Sequence, residues 1–462
     1  MSIQSILEVL ERAHNGPLCT AKEWSIKVLP TKVLQKLKEH RLQGTFNREN
    51  PVNSDDALAD AFYKASWELA IEMGLLCLDT ERIIKVSAEE IEKALKNAPT
   101  ELVMGKGRDA VVVKHREPED ECKPLFMAPM GNMVSEEIWI PLHIGIVQHR
   151  EVSIFQGCSL ITMHGYPLLA NTPYETLLGK YRAELTREVL KRTGRRGMPI
   201  FVMSGTSTPY GQFGGFGIPG GFDAEQSIPQ ILVEGELVTS FATLHKVIHA
   251  FNCGAKIIIG QQTIIGGSAG SPEGVVLASI AGALLQFVVS QAHISKNGIT
   301  DARYSGSLGR EGQWAFSVQG QALSRNTPLI IQHTISQRGG PGTEMLLYES
   351  AVGMAHMASS GVSINNGPRT SGVKHLDHIS PLECKFCGEI FKACAGMTRK
   401  QANEISEVLT PKFEGMLWDP PIGKRFQDCY DIETLEPTQE WFDIYLKVKR
   451  ELIEIGIPLA YP

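Results

Sequence analysis

The run KIIIGQQTIIGGSAGSPEGVVLASIAGALLQFVVSQAHIS, residues 256–295, decides the fold. It opens on a short isoleucine-rich stretch, Lys256 to Gly260, crosses a glycine-rich turn, and continues over 273–295 as an apolar pattern long enough for a helix. A strand covered on both faces and followed by a crossover helix is the repeating unit of a parallel sheet. Working outward, similar β-type runs occur at Leu125–Ala128, Ser153–Gly157, Pro199–Met203, Gln230–Glu234, Thr300–Tyr304, Pro328–His333 and Gly361–Asn365. Helical patterns fall at 136–150, 173–193, 237–252, 311–325, 342–358 and 380–407. The spacing predicts an α/β protein, a (β/α)8 TIM barrel, with a doubly wound open sheet as the alternative. Polar residues stand where the predicted strands run out, among them Gln156, Glu234, Gln261, Gln262, Tyr304, His333, Thr334 and Asn366. In a barrel these ends converge on one mouth, where active sites of this architecture lie.

Residues 1–120 read as an N-terminal helical extension with a small β-hairpin, formed by the runs Arg82–Val86 and Ala110–Lys114. Residues 121–410 form the predicted barrel, and 411–462 a C-terminal extension packed on it. Forty-five Lys and Arg against 51 Asp and Glu give a net charge of −6, which leaves no basic excess for nucleic acid. Nine scattered cysteines argue against a disulfide framework and for a reducing compartment. The N-terminal residues carry no basic segment leading into an apolar one, so a cytoplasmic protein is expected. The uncharged stretch Gly274 to Ser295 is broken by Ser279, Gln286, Ser290, Gln291 and His293, and reads as a buried helix rather than a membrane span.

No Walker A loop, dinucleotide fingerprint, HExxH or GxSxG occurs, and no tightly bound cofactor is expected. His375, His378, Cys384 and Cys387 have a spacing that could bring four ligands to zinc. The same cysteines read equally as small buried residues of the 380–407 helix. Seven glycines between Gly205 and Gly221 are read as a mobile flap over the mouth.

Several segments carry a resemblance: residues 74–85 (GLLCLDTERIIK), Gly107 to Val111, Ser204 to Ser207, Gly340-Pro-Gly-Thr-Glu-Met345, and 423–431 (GKRFQDCYD) followed by Pro437 to Glu440. Together they resemble the monomethylamine methyltransferases of methylotrophic methanogens, over nearly the whole chain. The resemblance implies a (β/α)8 barrel, a homo-oligomer such as a hexamer, and transfer of a substrate methyl group to the cobalt of a separate corrinoid protein. The family's defining pyrrolysine follows a Gly-Met pair. Here Gly197-Met198 leads to Phe201 or Met203 at that position, and the chain has no pyrrolysine. The resemblance further implies that an acidic residue beside the amine site is replaced by Gln261, and that a Gln and a Tyr are replaced by Thr334 and Ser336.

The scaffold therefore carries over and the monomethylamine substrate does not. A cob(I)amide attacks a methyl carbon in line, so the site must position the donor and favour the leaving group. A quaternary ammonium leaves as a neutral amine, and would need an aromatic and acidic lining. Candidates are Tyr210, Phe213, Phe216, Tyr304 and Trp314 as walls, His333 beside them, and Glu234 or Glu344 as the anion; Gln261, Glu344, Met203, Thr334 and Ser336 are the candidate catalytic positions. No corrinoid-binding DxHxxG occurs, so the corrinoid is expected on a partner, whose docking Arg108, Arg303 and Arg338 would assist. The alternative is a non-catalytic ligand-binding or regulatory protein on the same barrel.

Overall fold

The computed structural model describes residues 2–202 and 208–461. Eight strands close a parallel barrel in chain order: β1 (Leu125–Ala128), β2 (Ile154–Phe155), β3 (Ile200–Val202), β4 (Ser227–Leu232), β5 (Ile258–Ile265), β6 (Ile294–Asp301), β7 (Ile331–Thr334) and β8 (Ile364–Asn366). Helices follow each strand: α1 (Glu136–Val147), α2 (Pro173–Arg192), α3 (Tyr210–Gly215), α4 (Phe241–Asn252), α5 (Pro272–Ser290), α6 (Arg310–Asn326), α7 (Glu344–Ser359) and α8 (Pro381–Ala393). The (β/α)8 expectation holds. The open sheet is excluded because β2 pairs with both β1 and β3 and the ring has no edge.

The sixth strand departs most from its predicted position, while others shift by fewer residues at an end. The pattern over 273–295 is uniformly apolar, yet α5 ends at Ser290, where Gln291 takes a left-handed φ of 47°. The sixth strand thus begins at Ile294, six residues before the predicted Thr300, and Lys296 lies on it. Ser271 caps the start of α5 by accepting from the Gly274 N–H at 3.3 Å, with Pro272 at the first helical position. Its apolar surface is covered all round, by the barrel on one side and helix Asp56–Met73 on the other, so it is a core helix and presents no face to lipid.

The N-terminal pairing also differs from expectation. Arg82–Ile84 pairs with Leu75–Cys77, which in turn lies parallel to Val238–Thr239 from the β4–α4 connection. The hairpin is made instead by Glu101–Met104 and Val111–Lys114. It closes the amino-terminal end of the barrel: the Lys106 N–H donates to the Gly197 carbonyl at 2.7 Å, just before β3, and His115 Nδ1 lies 2.9 Å from the Leu329 carbonyl, just before β7. Ser87 and Glu90 form a reciprocal capping box at the start of helix Ala88–Lys96.

Candidate active site

The lumen is built in layers. Its floor is apolar: Met127, Ile154, Phe201, Ile228, Ile258, Ile294, Ile330 and Ile364 pack with Leu102, Met104 and Val113 of the hairpin plug. Side chains return to the same strand face every second residue. The next layer toward the mouth is therefore Gln156, Gln230, Lys296, Gln332 and Asn366, all buried. The geometry confirms the direction. Gln332 Nε2 donates to Gln230 Oε1 at 2.7 Å, linking β7 to β4. Those strands are separated by β5 and β6 in the ring, so the bond spans the lumen.

Above this layer, Lys296 Nζ donates to Thr334 Oγ1 at 2.6 Å and Gln262 Nε2 to Thr300 Oγ1 at 2.5 Å. Nearer the mouth, an Arg369 guanidinium nitrogen donates to Ser336 Oγ at 2.9 Å. The site is thus polar, seated on an apolar floor, and positively charged. Lys296 is only 3% exposed. Burial pushes its ammonium down to about 7, and Arg369 adds to that by like-charge repulsion. Burial also lowers Arg369. Among the described residues neither cation has a carboxylate partner; Lys296 has Thr334, and the Arg369 side chain has Ser336. Asn366 Oδ1 and Nδ2 and Gln332 Oε1 are buried without a hydrogen-bond partner among the described residues. Unpaired buried polar atoms are costly, and in a native site they are the groups a ligand satisfies.

Two of the residues picked from the sequence, Thr334 and Ser336, line this lumen. Most others face elsewhere, because neighbouring strand residues alternate between lumen and helix layer. Gln261 turns outward: its Nε2 donates to the Ala278 carbonyl of α5 at 2.8 Å and its Oε1 accepts from the Leu237 N–H. A side chain at Gly282 would collide with its amide, so glycine there makes room for the contact. The lumen-facing residue of that pair is Gln262. His333 also turns outward, 2.8 Å from Gln319 Oε1 and edge-on to Phe316, and burial holds it neutral with a pKa of about 3.

The aromatic wall does not assemble. Trp314 packs edge-on against Phe46 and Phe62 of the N-terminal extension, each 5.8 Å between ring centres. Phe213 and Phe216 pack against His249 of α4. Tyr304 accepts from the Gly309 N–H and faces Trp418, while Tyr210 is 47% exposed. The proposed anions are engaged as well: Glu344 pairs with Lys447 at 2.6 Å, and Glu234 at the rim accepts from Ser240 and Thr243 around the start of α4. Met203 lies outside the described residues.

Cys384 and Cys387 are buried on α8, whereas His378 in the preceding loop is half-buried and bonded to its own backbone neighbour Leu376, with His375 beside it. No group of three potential ligands among the described residues could hold a metal ion. Arg108 sits at the plug end, donating to the Gly194 carbonyl, so it is remote from the mouth. Arg303 is held by Asp301 and Glu311, and Arg338 by the Leu417 carbonyl.

Lys296, Gln230, Gln332 and Arg369 escaped the sequence reading as site residues, whereas Asn366 stood among the polar strand ends without being given a role. For Lys296 the signal was a charge amid an apolar run, masked by the overlong helix. For Gln332 it was the alternation of strand faces, which strand ends alone do not reveal.

A closed parallel barrel with a polar lumen above an apolar floor defines a (β/α)8 enzyme whose site lies at the carboxyl ends of its strands. The sequence model described as "Monomethylamine methyltransferase MtmB" matches residues 4–457, and the chain belongs to that family of methyltransferases. Among relatives, it is 28% identical to monomethylamine methyltransferase MtmB2 of Methanosarcina acetivorans over 97% of both chains, and 28% identical to MtmB of Methanosarcina mazei at the same coverage. The crystal structure of the Methanosarcina barkeri monomethylamine methyltransferase superposes with a TM-score of 0.93 at 26% identity, covering 98% of each chain. The hydroxylamine complex of that enzyme matches equally well.

Proposed function

We propose that this methyltransferase moves a methyl group from a methylated small molecule to the cob(I)amide of a separate corrinoid protein, without pyrrolysine. The observation that carries the reading is a whole-chain likeness to methyltransferases combined with a buried polar lumen that opens at the strand ends. The corrin is read as the partner's rather than as a cofactor inside the barrel, because Lys296, Gln332 and Asn366 are buried at the base of the polar lumen. It is therefore expected to stay on the partner and meet the donor at the mouth, where its reduced cobalt supplies the nucleophile.

This chain's own contribution is positioning. The Gln230–Gln332 bond fixes the depth of the lumen, and Lys296, held by Thr334, presents a proton that is exchangeable near neutral pH. Holding donor and acceptor in line is worth more here than covalent activation. The resemblance also supports a homo-oligomer, to be measured by light scattering.

The test mixes purified enzyme with reduced corrinoid partner and a panel of methylated amines, ethers, sulfides and carboxylates, following conversion of the cob(I)amide spectrum to the methylated form. Turnover with one donor class is expected. Binding of a donor without transfer would favour the non-catalytic alternative, which the absence of pyrrolysine otherwise supports.

A further inference from the structure

We infer that the lumen between Lys296 and Arg369 is a binding site for a carboxylate, so that the substrate of the methyl transfer proposed above is an anionic or zwitterionic methylated compound. The methyl-donor part rests on that proposal; the carboxylate site stands on the geometry alone.

Two basic side chains enter one barrel interior from different strand ends, Lys296 from β6 and Arg369 from the segment after β8. Among the described residues each side chain is held by a hydroxyl alone, Thr334 for the lysine and Ser336 for the arginine. Lys296 is out of water and Arg369 is half-buried beside it; a buried cation is retained in a fold when something compensates it, and among the described residues no acid does. The nearby acids are used elsewhere. Glu349 accepts from the Arg338 and Gly339 N–H groups at 2.8–2.9 Å, and Asp301 holds Arg303. A ligand carboxylate would receive charge-assisted hydrogen bonds from Lys296 and Arg369, the strong class of such contacts.

The unpartnered atoms complete the description. Asn366 Nδ2 can donate to the same carboxylate, while Asn366 Oδ1 and Gln332 Oε1 remain as acceptors for a positively polarised part of the ligand. A lumen that holds two cations and, among the described residues, no acid repels a free quaternary ammonium. It accepts one whose charge is balanced within the same molecule. This narrows the quaternary-amine expectation from sequence to compounds that also carry an anion.

Protonation follows from the same neighbours. The charged and titratable groups facing Lys296 among the described residues are Arg369 and, through the β7 backbone, His333, which is neutral above a pKa of about 3. Lys296 itself is therefore the group that titrates near neutrality. Affinity for the anion is expected to be flat below pH about 7 and to fall by up to about tenfold per pH unit above it.

The experiment is calorimetric and thermal-shift titration of the full-length protein with acetate, N-methylglycine, trimethylglycine, choline and sulfate, on wild type and on Lys296→Met and Arg369→Gln. The expected result is binding of one or more carboxylates, none of choline, and at least about tenfold weaker binding in both variants. A second readout guards against misfolding: Lys296→Met should melt no lower than wild type while losing its response to the carboxylate. Choline binding as tightly as trimethylglycine, sulfate as the sole ligand, or undiminished carboxylate binding by Lys296→Met would each overturn the site. Carboxylate binding without methyl transfer would leave the site standing and remove the methyltransferase reading of this chain instead.

Discussion

Lys296 is a cation set where water hardly reaches it, held by one threonine hydroxyl. Its folded-state pKa of about 7 lies below the ordinary lysine value, so between those two values the unfolded chain binds the extra proton and stability rises with pH. Lys296→Met removes that burden. It should raise unfolding stability by about 1–3 kcal/mol at pH 6, where the lysine is charged, and the gain should shrink toward pH 10. Parallel denaturation curves at the two pH values check this; a variant less stable than wild type at pH 6 would show that the lysine is a structural element rather than one kept for a ligand. The residue scale is also where the sequence was least legible. Thr334 and Gln261 both stand where the sequence pattern ends a strand, yet one faces the lumen and the other α5. A one-residue change of register exchanges the two faces, and a sequence does not fix it without the floor residues as reference.

At the scale of elements, the described part of the glycine run after β3, read from sequence as a flap between Gly205 and Gly221, packs helices together. Helices α2 and α3 approach so closely that a side chain at Gly214 would fall 2.0 Å from the Thr176 carbonyl oxygen, and one at Gly179 would meet the Gly211 carbonyl at 2.2 Å. The glycines there are a helix-packing device; Gly205 lies outside the described residues. Gly214→Ala should cost about 1–3 kcal/mol, because backbone rather than a flexible side chain must give way. A melting temperature equal to wild type would contradict this packing. Strand and helix order were readable because Leu125–Ala128, Ile258-Ile259 and Ile330-Ile331 are short apolar runs set between amphipathic helices. Less readable was α5, whose end is set by the backbone turn at Gln291 and not by a break in hydropathy. That single boundary hid Lys296.

For the whole molecule, five histidines, three of them buried and two half-buried, set the response to acid. His143, His149, His293, His333 and His356 are held by burial at pKa values of about 3 to 4. As pH falls below about 6.5 the unfolded chain takes up protons that the folded one cannot, at about 1.4 kcal/mol per pH unit for each histidine. Glu349 and Glu383, raised to about 7, act in the opposite sense between about 4.5 and 7, but they are fewer. Stability should therefore decline steeply from pH 6.5 to 4.5, measured by urea midpoints across that range. A flat profile would mean the histidines are hydrated.

The same whole-molecule view ties the barrel to its function. The hairpin Glu101–Met104 and Val111–Lys114 seals one end, so substrate and partner must share the other. The most direct measurement is the rate of cob(I)amide methylation by wild type and Lys296→Met, with the best donor from the panel and the corrinoid partner in excess. A loss on the order of 100-fold in kcat/KM, with the fold intact by melting, is predicted for a charge that positions the donor. Equal rates for the two proteins would contradict the assignment of this lumen as the place where the methyl group is transferred.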